Sequence, residues 1–244
     1  MLNPFIQKLG RRFVLSGAEE TALSEASARL RDIQPRTELI SEGEVPDHVH
    51  LIQKGFAGRY KVLPSGGRSI VAFLIPGDFC DLNVSILGEM DHCIGTISAC
   101  DVVRIPRSVI NDLTDKHPLL NRALQWAGLV DEAILREWLV SMGRRSADQR
   151  VAHLFCEFLI RLQTVGLATE NSYHFPLTQT DLADATGLSN VHINRVLQEL
   201  RRLKLVVFKE RRVTLPNVAA IQAYAGFNPN YLHLHPKAPP TRAL

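Results

Sequence analysis

No apolar run in this 244-residue chain approaches the roughly 20 residues that a helix needs to cross a bilayer. The N-terminus carries no signal-peptide pattern, so the expected setting is the cytoplasm, with no membrane partner. Cysteines are few: Cys80, Cys93, Cys100 and Cys156, with none before residue 80. Their spacings match neither a cluster-binding loop nor a zinc knuckle, and a cytoplasmic setting disfavours disulfides. Buried structural thiols are the expectation. Enzyme signatures are missing as well. There is no G-x-x-x-x-G-K-[ST] loop, no H-E-x-x-H, no G-x-S-x-G and no dinucleotide fingerprint, so no catalytic residue is assigned. His48 and His50 would share one face of a strand-like run, but no third ligand accompanies them, and no metal site is assigned. No internal repeat is present.

What the chain does have is a core-forming composition, 45% hydrophobic and 22% charged, enough for one large domain or two ordinary ones. Its net charge of +3 is unevenly spread. From Gly143 onward 13 lysines and arginines face 7 acidic residues, whereas the first 142 residues hold 15 against 18. A basic C-terminal part on a mildly acidic N-terminal part suits a nucleic-acid partner for the former only.

The basic part contains the most informative stretch, 178–200, TQTDLADATGLSNVHINRVLQEL. Thr178 with Asp181 three residues on is a helix start, and Gly187 is a turn residue. Ser189 is a second N-cap, after which Ile193, Val196, Leu197 and Leu200 recur at helical spacing. The other face of that second helix carries Asn190, His192, Asn194, Arg195, Gln198, Arg201 and Arg202. Nearly all of these can donate hydrogen bonds to base edges or phosphates. An ordinary helical hairpin is the plainer reading; the basic outer face favours helix–turn–helix binding to double-stranded DNA.

In chain order, residues 4–33 read as helical. From Pro35 short apolar stretches (38–40, 49–53, 57–63, 70–75, 94–99 and 102–105) alternate with Gly, Pro and Asp turns, which predicts an antiparallel barrel or sandwich. Helical periodicity returns over 118–142. Leu120, Leu124, Ala127, Ile134 and Trp138 form a stripe widened by Ala123, Val130 and Ala133. On a helix ~37 Å long this predicts pairing with a second copy, with packing on the barrel as the alternative. Gly143-Arg144-Arg145 breaks the pattern, and Ser146 with Gln149 is a capping box for a helix over 147–164. Two strand-like runs around Lys209-Glu210-Arg211 read as a wing, a short helix follows over 218–224, and the Pro-rich tail from Asn228, with His233 and His235, is expected to be loosely ordered.

This layout resembles the Crp/Fnr family of bacterial transcription regulators over nearly the whole chain. Pro76-Gly77-Asp78-Phe79 is similar to the family's PGD turn, and 177–205 to its DNA-binding signature. The resemblance implies an α+β fold: an N-terminal cyclic-nucleotide-binding-like β-roll (1–117), a long dimerisation helix (118–142), a hinge (143–147), a C-terminal winged helix–turn–helix domain (148–225) and a tail (226–244). It implies a homodimer, paired through 118–142, that sets two recognition helices in successive major grooves of a near-palindromic site, with RNA polymerase as a partner if the protein activates. Asn190, Val191, Asn194 and Arg195 fall where the family reads bases. Thr178, Gln179, Ser189, His192, Arg201 and Arg202 are assigned to phosphates. Val191 departs from the glutamate common in the family, so a different half-site is expected. The output is regulation of transcription without catalysis. The alternative is a ligand-binding β-roll acting through protein–protein contacts.

The effector half departs further. Where cyclic-AMP-binding relatives carry a Gly-Glu-Leu run and an Arg-Ser/Thr pair, this chain has Cys80-Asp81-Leu82-Asn83 and Asp91-His92-Cys93. An acidic residue in place of the arginine repels a cyclic phosphate. Asp81, Asn83, Asp91, His92 and Cys93 are the candidate effector pocket, for an unidentified small effector or redox signal. Arg59, Lys61 or Arg68 could supply a substitute charge. No cofactor is predicted. Cyclic AMP and an iron–sulfur cluster are disfavoured, and haem stays open.

Overall fold

Residues 3–82 and 88–234 are described by a computed structural model. The turn-punctuated region forms strands β1 (Leu30–Ile33), β2 (Glu38–Ile40), β3 (His48–Lys54), β4 (Ala57–Val62), β5 (Arg68–Leu74), β6 (Cys93–Thr96) and β7 (Cys100–Pro106). They pair antiparallel in two sheets, ordered β1-β7-β3 and β2-β6-β4-β5. Ile40, Ile52, Leu74, Ile94 and Val102 fill the space within this roll. Helices α1 (Pro4–Gly10) and α2 (Gly17–Ala26) precede it. Phe5 and Leu9 of α1 are buried with Phe79, Leu120 and Leu124. The PGD turn presses on α1: Gly77 has φ +91°, and a Cβ there would stand 3.0 Å from the Pro4 carbonyl.

The helical expectation for 4–33 fails at its end. Leu30–Ile33 is strand β1, in register with β7 from Leu30↔Val103 to Ile33↔Cys100. Leu30, Arg31 and Asp32 are exposed, so this strand offers no alternation to read, and its pairing partner decides its state.

Helix α3 (Arg107–Lys116) leads into α4 (Pro118–Arg144), the long helix. Its predicted pairing stripe turns inward. Leu120, Ala123, Leu124, Ala127, Val130, Ala133 and Ile134 are buried against the same chain, and half-buried Trp138 donates its indole N–H to Glu157. The exposed apolar side chains are Leu129, Leu135, Leu139, Val140 and Met142. The helix thus has two apolar faces, and the broader one belongs to the core.

Helix α4 runs through Gly143 and ends at Arg144; the extended residue is Arg145, followed by the capping box of Ser146 and Gln149 that opens α5 (Ala147–Thr164). The joint is braced. Arg145 donates to the Ala225 carbonyl, Ser141 and Glu137, and Arg150 donates to the carbonyls of Ser141, Met142 and Thr186. Then come β8 (Ser172–His174), α6 (Gln179–Thr186), α7 (Asn190–Arg202), β9 (Val207–Lys209), β10 (Arg212–Thr214), α8 (Val218–Ala225) and a 3-10 turn, Pro229–Leu232. The start of the tail is ordered, contrary to expectation: Tyr231 and Leu232 are buried, and the Tyr231 hydroxyl donates to Glu157. His235 lies outside the described residues.

One hydrophobic core is continuous from the roll into the C-terminal region. Phe158 of α5 sits 5.4 Å from Phe73 of β5 and 5.8 Å from Phe56, ring centre to ring centre. No helix among the described residues is long and apolar enough to cross a membrane.

Candidate nucleic-acid interface

The helix pair forms as its capping residues dictate. Thr178 accepts from the Asp181 N–H and Asp181 accepts from the Thr178 N–H, which satisfies two otherwise orphan donors at the start of α6. Gly187 ends α6 at φ +66°, and a Cβ there would come 2.9 Å from the Met142 side chain. A glycine at this corner therefore serves the left-handed turn. Ser189 caps α7 by accepting from the His192 N–H.

Burial of Leu182, Ala183 and Ala185 against Ile193, Val196, Leu197 and Leu200 fixes which face of α7 looks out. Asn190, Val191, His192, Asn194, Arg195 and Gln198 are all exposed, as are Thr178, Gln179 and Ser189. Val191 is 64% exposed, high for a valine. The four expected base readers therefore share the N-terminal half of one outward face. Asn194 donates to Gln179 at 3.4 Å, which links the reading face to the start of α6. Arg202 is held by both carboxylate oxygens of Glu199 at 2.7 and 2.8 Å, and Arg201 lies over the Phe208 ring at 5.0 Å. Both must exchange or keep these partners to reach a phosphate.

Beside the helix pair, β8, β10 and β9 form a small sheet in that order. Glu210 and Arg211 turn the wing at φ +50° and +56°, carrying Lys209, Arg211 and Arg212 at the exposed tip.

The second expected site is a cavity of about 410 Å3 between the roll, α1 and α4. Asp81, Asp91 and His92 line it; Cys93 does not, being a buried residue of β6 that accepts from the Glu42 N–H, and Asn83 lies outside the described residues. Sequence reasoning missed Glu89 and Met90, the neighbours of Asp91, and Asp131 and Leu135, whose place on the wall follows from how α4 crosses the roll. Arg59 and Lys61 also line the cavity, whereas Arg68 lies elsewhere. Arg59 donates to the carbonyls of Phe79 and Cys80 and to Asp131 at 2.9 Å; burial opposes its charge, but Asp131 keeps its pKa raised. Lys61 pairs with Glu42, and Asp81 accepts from the His50 N–H and faces its ring at 2.9 Å. Among the described residues, the cations on this wall are thus engaged by carboxylates, and the residues do not fit a cyclic phosphate.

The four cysteines are free and buried. Burial pushes the Cys80 thiol well up, Cys100 to about 11 and Cys156 to about 12, which disfavours the thiolate that a cluster would need. Among the described residues, no His/Cys/Asp/Glu group could hold a metal ion, and His50 faces Asp81 instead of pairing with His48.

Known proteins share this arrangement. Residues 30–117 match the cyclic nucleotide-binding domain and residues 149–224 the Crp-like helix-turn-helix domain. The transcriptional activatory protein AadR of Rhodopseudomonas palustris is 30% identical over 174 residues, 71% of each chain. The chain belongs to the Crp/Fnr family. The nitrogen fixation regulation protein FixK of Bradyrhizobium diazoefficiens is 27% identical over 187 residues, 77% of this chain and 78% of that one. Among solved structures, FixK2 from Bradyrhizobium japonicum superposes with a TM-score of 0.71 at 23% identity, covering 80% of this chain and 96% of that chain. The Crp/Fnr chain described here is a transcription regulator with a helix–turn–helix DNA-binding domain, not an enzyme.

Proposed function

We propose that two copies of this regulator bind a near-palindromic duplex, each presenting Asn190, Val191, Asn194 and Arg195 to base edges. The observation that carries this reading is their shared exposure on the outward face of a helix whose inner face is buried. Arg195 can take a guanine O6/N7 pair, and Val191 offers only apolar contact, such as to a thymine methyl. Thr178, Gln179, Ser189, His192, Arg201 and Arg202 serve phosphates around them. The second copy pairs along the outer face of α4. Leu135, Leu139 and Met142 follow one another at steps of four and three, with Leu129 and Val140 beside them, and Leu139 is 66% exposed. Domain limits near residues 117, 142 and 147 fit this division of labour. RNA polymerase is the further partner if the protein activates, and a chromosomal site puts the work in the cytoplasm.

Regulation through the roll does not require a cyclic nucleotide in this reading. The Arg59–Asp131 pair already ties β4 to the long helix across the cavity. An effector in that cavity would act by changing this tie.

Selection of the purified protein on random duplexes, with no ligand added, tests the proposal. Enrichment of an inverted repeat, lost in Arg195→Ala, supports it; enrichment of no sequence with or without cell extract sinks it.

A further inference from the structure

Besides the buried pair of Arg161 with Asp78, two ties outside the reading face hold the helix pair on the roll. The first is the aromatic contact of Phe158 with Phe56 and Phe73. It acts as a hub, because apolar packing resists separation but is non-directional. The second is ionic and lies on α6. Arg36, from the β1–β2 turn, donates to both oxygens of Asp181 at 2.6 and 2.8 Å. Arg68, at the start of β5, donates to Asp181 at 2.9 Å and to Asp184 at 2.8 Å. Asp181 is fully buried. Against the cost of that burial, the hydrogen bonds from Arg36 and Thr178 hold its carboxyl down to about 2. Arg36 adopts φ +62°, a conformation that costs a non-glycine residue energy and persists only where its surroundings demand it.

We propose that Arg36 and Arg68 are specificity-determining residues for operator geometry: they fix the rotation of the DNA-binding domain about the Phe158 hub, and so set the half-site spacing that the dimer accepts. A rotation about the hub would carry α6 across the roll, and the recognition helix with it. The bidentate Arg36–Asp181 pair and the Arg68 bridge from Asp181 to Asp184 are both directional, so together on one helix they stop that rotation. The same bonds meet Asp181, the third residue of α6 and the partner of Thr178 in its capping box, so the orientation of the reading helix is tied to the roll through the helix start itself. A dimer gains avidity only when both helices reach their half-sites together; a rigid orientation concentrates that gain on one spacing, and a loose one spreads it over several. Arg36 and Arg68 need not touch DNA for this. The inference rests on the dimeric reading above.

The test compares wild type with Arg36→Asn/Arg68→Ala, in which asparagine tolerates the positive φ. Affinity is measured for duplexes bearing the selected repeat, the same half-sites moved apart or together by one or two base pairs, and a single half-site. The expected result is a loss of about tenfold or more on the wild-type spacing, a flattened preference across spacings, and unchanged affinity for the single half-site. Arg68→Ala and Asp184→Ala should each show partial flattening, the larger for Arg68→Ala, which also breaks the bond to Asp181, and the double variant should match Arg68→Ala. Wild-type spacing preference in Arg36→Asn/Arg68→Ala overturns the inference. So does an equal loss on the single half-site, which would make the arginines DNA contacts. Failure of the wild type to favour the repeat over a single half-site overturns the dimeric reading itself, whatever the variants do.

Discussion

Arg161 of α5 lies 2.7 Å from Asp78 of the PGD turn, a buried ion pair that joins the DNA-binding domain to the roll. Lys8 of α1 reaches the same carboxylate at 2.7 Å, the Ile75 N–H donates to it, and Arg161 also pairs with Glu157 at 3.0 Å. Burial works against the Asp78 charge, but Lys8 and Arg161 together hold its pKa below the usual range. One turn therefore collects contacts from three parts of the chain. Removing one partner leaves a buried charge uncompensated, so Asp78→Asn or Arg161→Met should lower stability by about 3–5 kcal/mol in urea unfolding. The double variant should lose less than the sum of the two. Additive losses would contradict the pairing.

The outer face of α4 gives a second expectation. Leu139→Glu sets a charge in the middle of the proposed seam at a position that is mostly exposed in its own chain. Sedimentation should then report a monomer with an unchanged far-ultraviolet circular dichroism spectrum, while the same substitution at the exposed Leu167, which lies off this helix, leaves the dimer intact. A dimeric Leu139→Glu protein would move the interface elsewhere.

Base reading makes a third. Arg195→Ala should cost about 1–3 kcal/mol per half-site and relax selection at one base pair. Val191→Glu should alter the base selected at another position, because a carboxylate accepts from cytosine N4 where valine cannot. Repeating the selection with each variant checks both. Equal weakening on all sequences would make Arg195 a phosphate contact.

Stability should fall on mild acidification through His153. Burial, with the Arg145 charge beside it, pushes this imidazole from 6.5 down to about 3. Between those values the unfolded chain binds a proton that the folded chain does not, so stability rises with pH by up to about 1.4 kcal/mol per unit. Going from pH 6.5 to 5.0 should remove about 1.6 kcal/mol, and His153→Gln should remove that part of the slope. Asp181 acts lower: its depressed value adds stability above 3.8 that is lost as pH falls towards 2. Identical slopes for His153→Gln and wild type over pH 5.0–6.5 would refute the assignment.

Much of the reading site was legible because local rules govern it. Thr178, Asp181, Gly187 and Ser189 are capping and turn residues whose roles follow from backbone hydrogen bonding alone, and the outward face of α7 follows from helical spacing. The effector wall was legible only in part. Asp81, Asp91 and His92 were expected there and line the cavity, but Asp131 lies on a helix whose rotation the sequence could not show. The same ambiguity misdirected the pairing stripe: Leu120, Leu124 and Ile134 are apolar at helical spacing whether they meet a partner chain or their own roll. The contacts of Arg36 with Asp181, 145 residues apart, were invisible, since neither residue type carries a local signature of its partner.

The most direct measurement of the central claim is the stoichiometry of the protein on its selected duplex, read by sedimentation velocity. Two chains on a duplex whose half-sites stand about one helical turn apart, and one chain on a duplex cut to a single half-site, is the predicted result. One chain on the full repeat, bound as tightly as on the half-site, would contradict it.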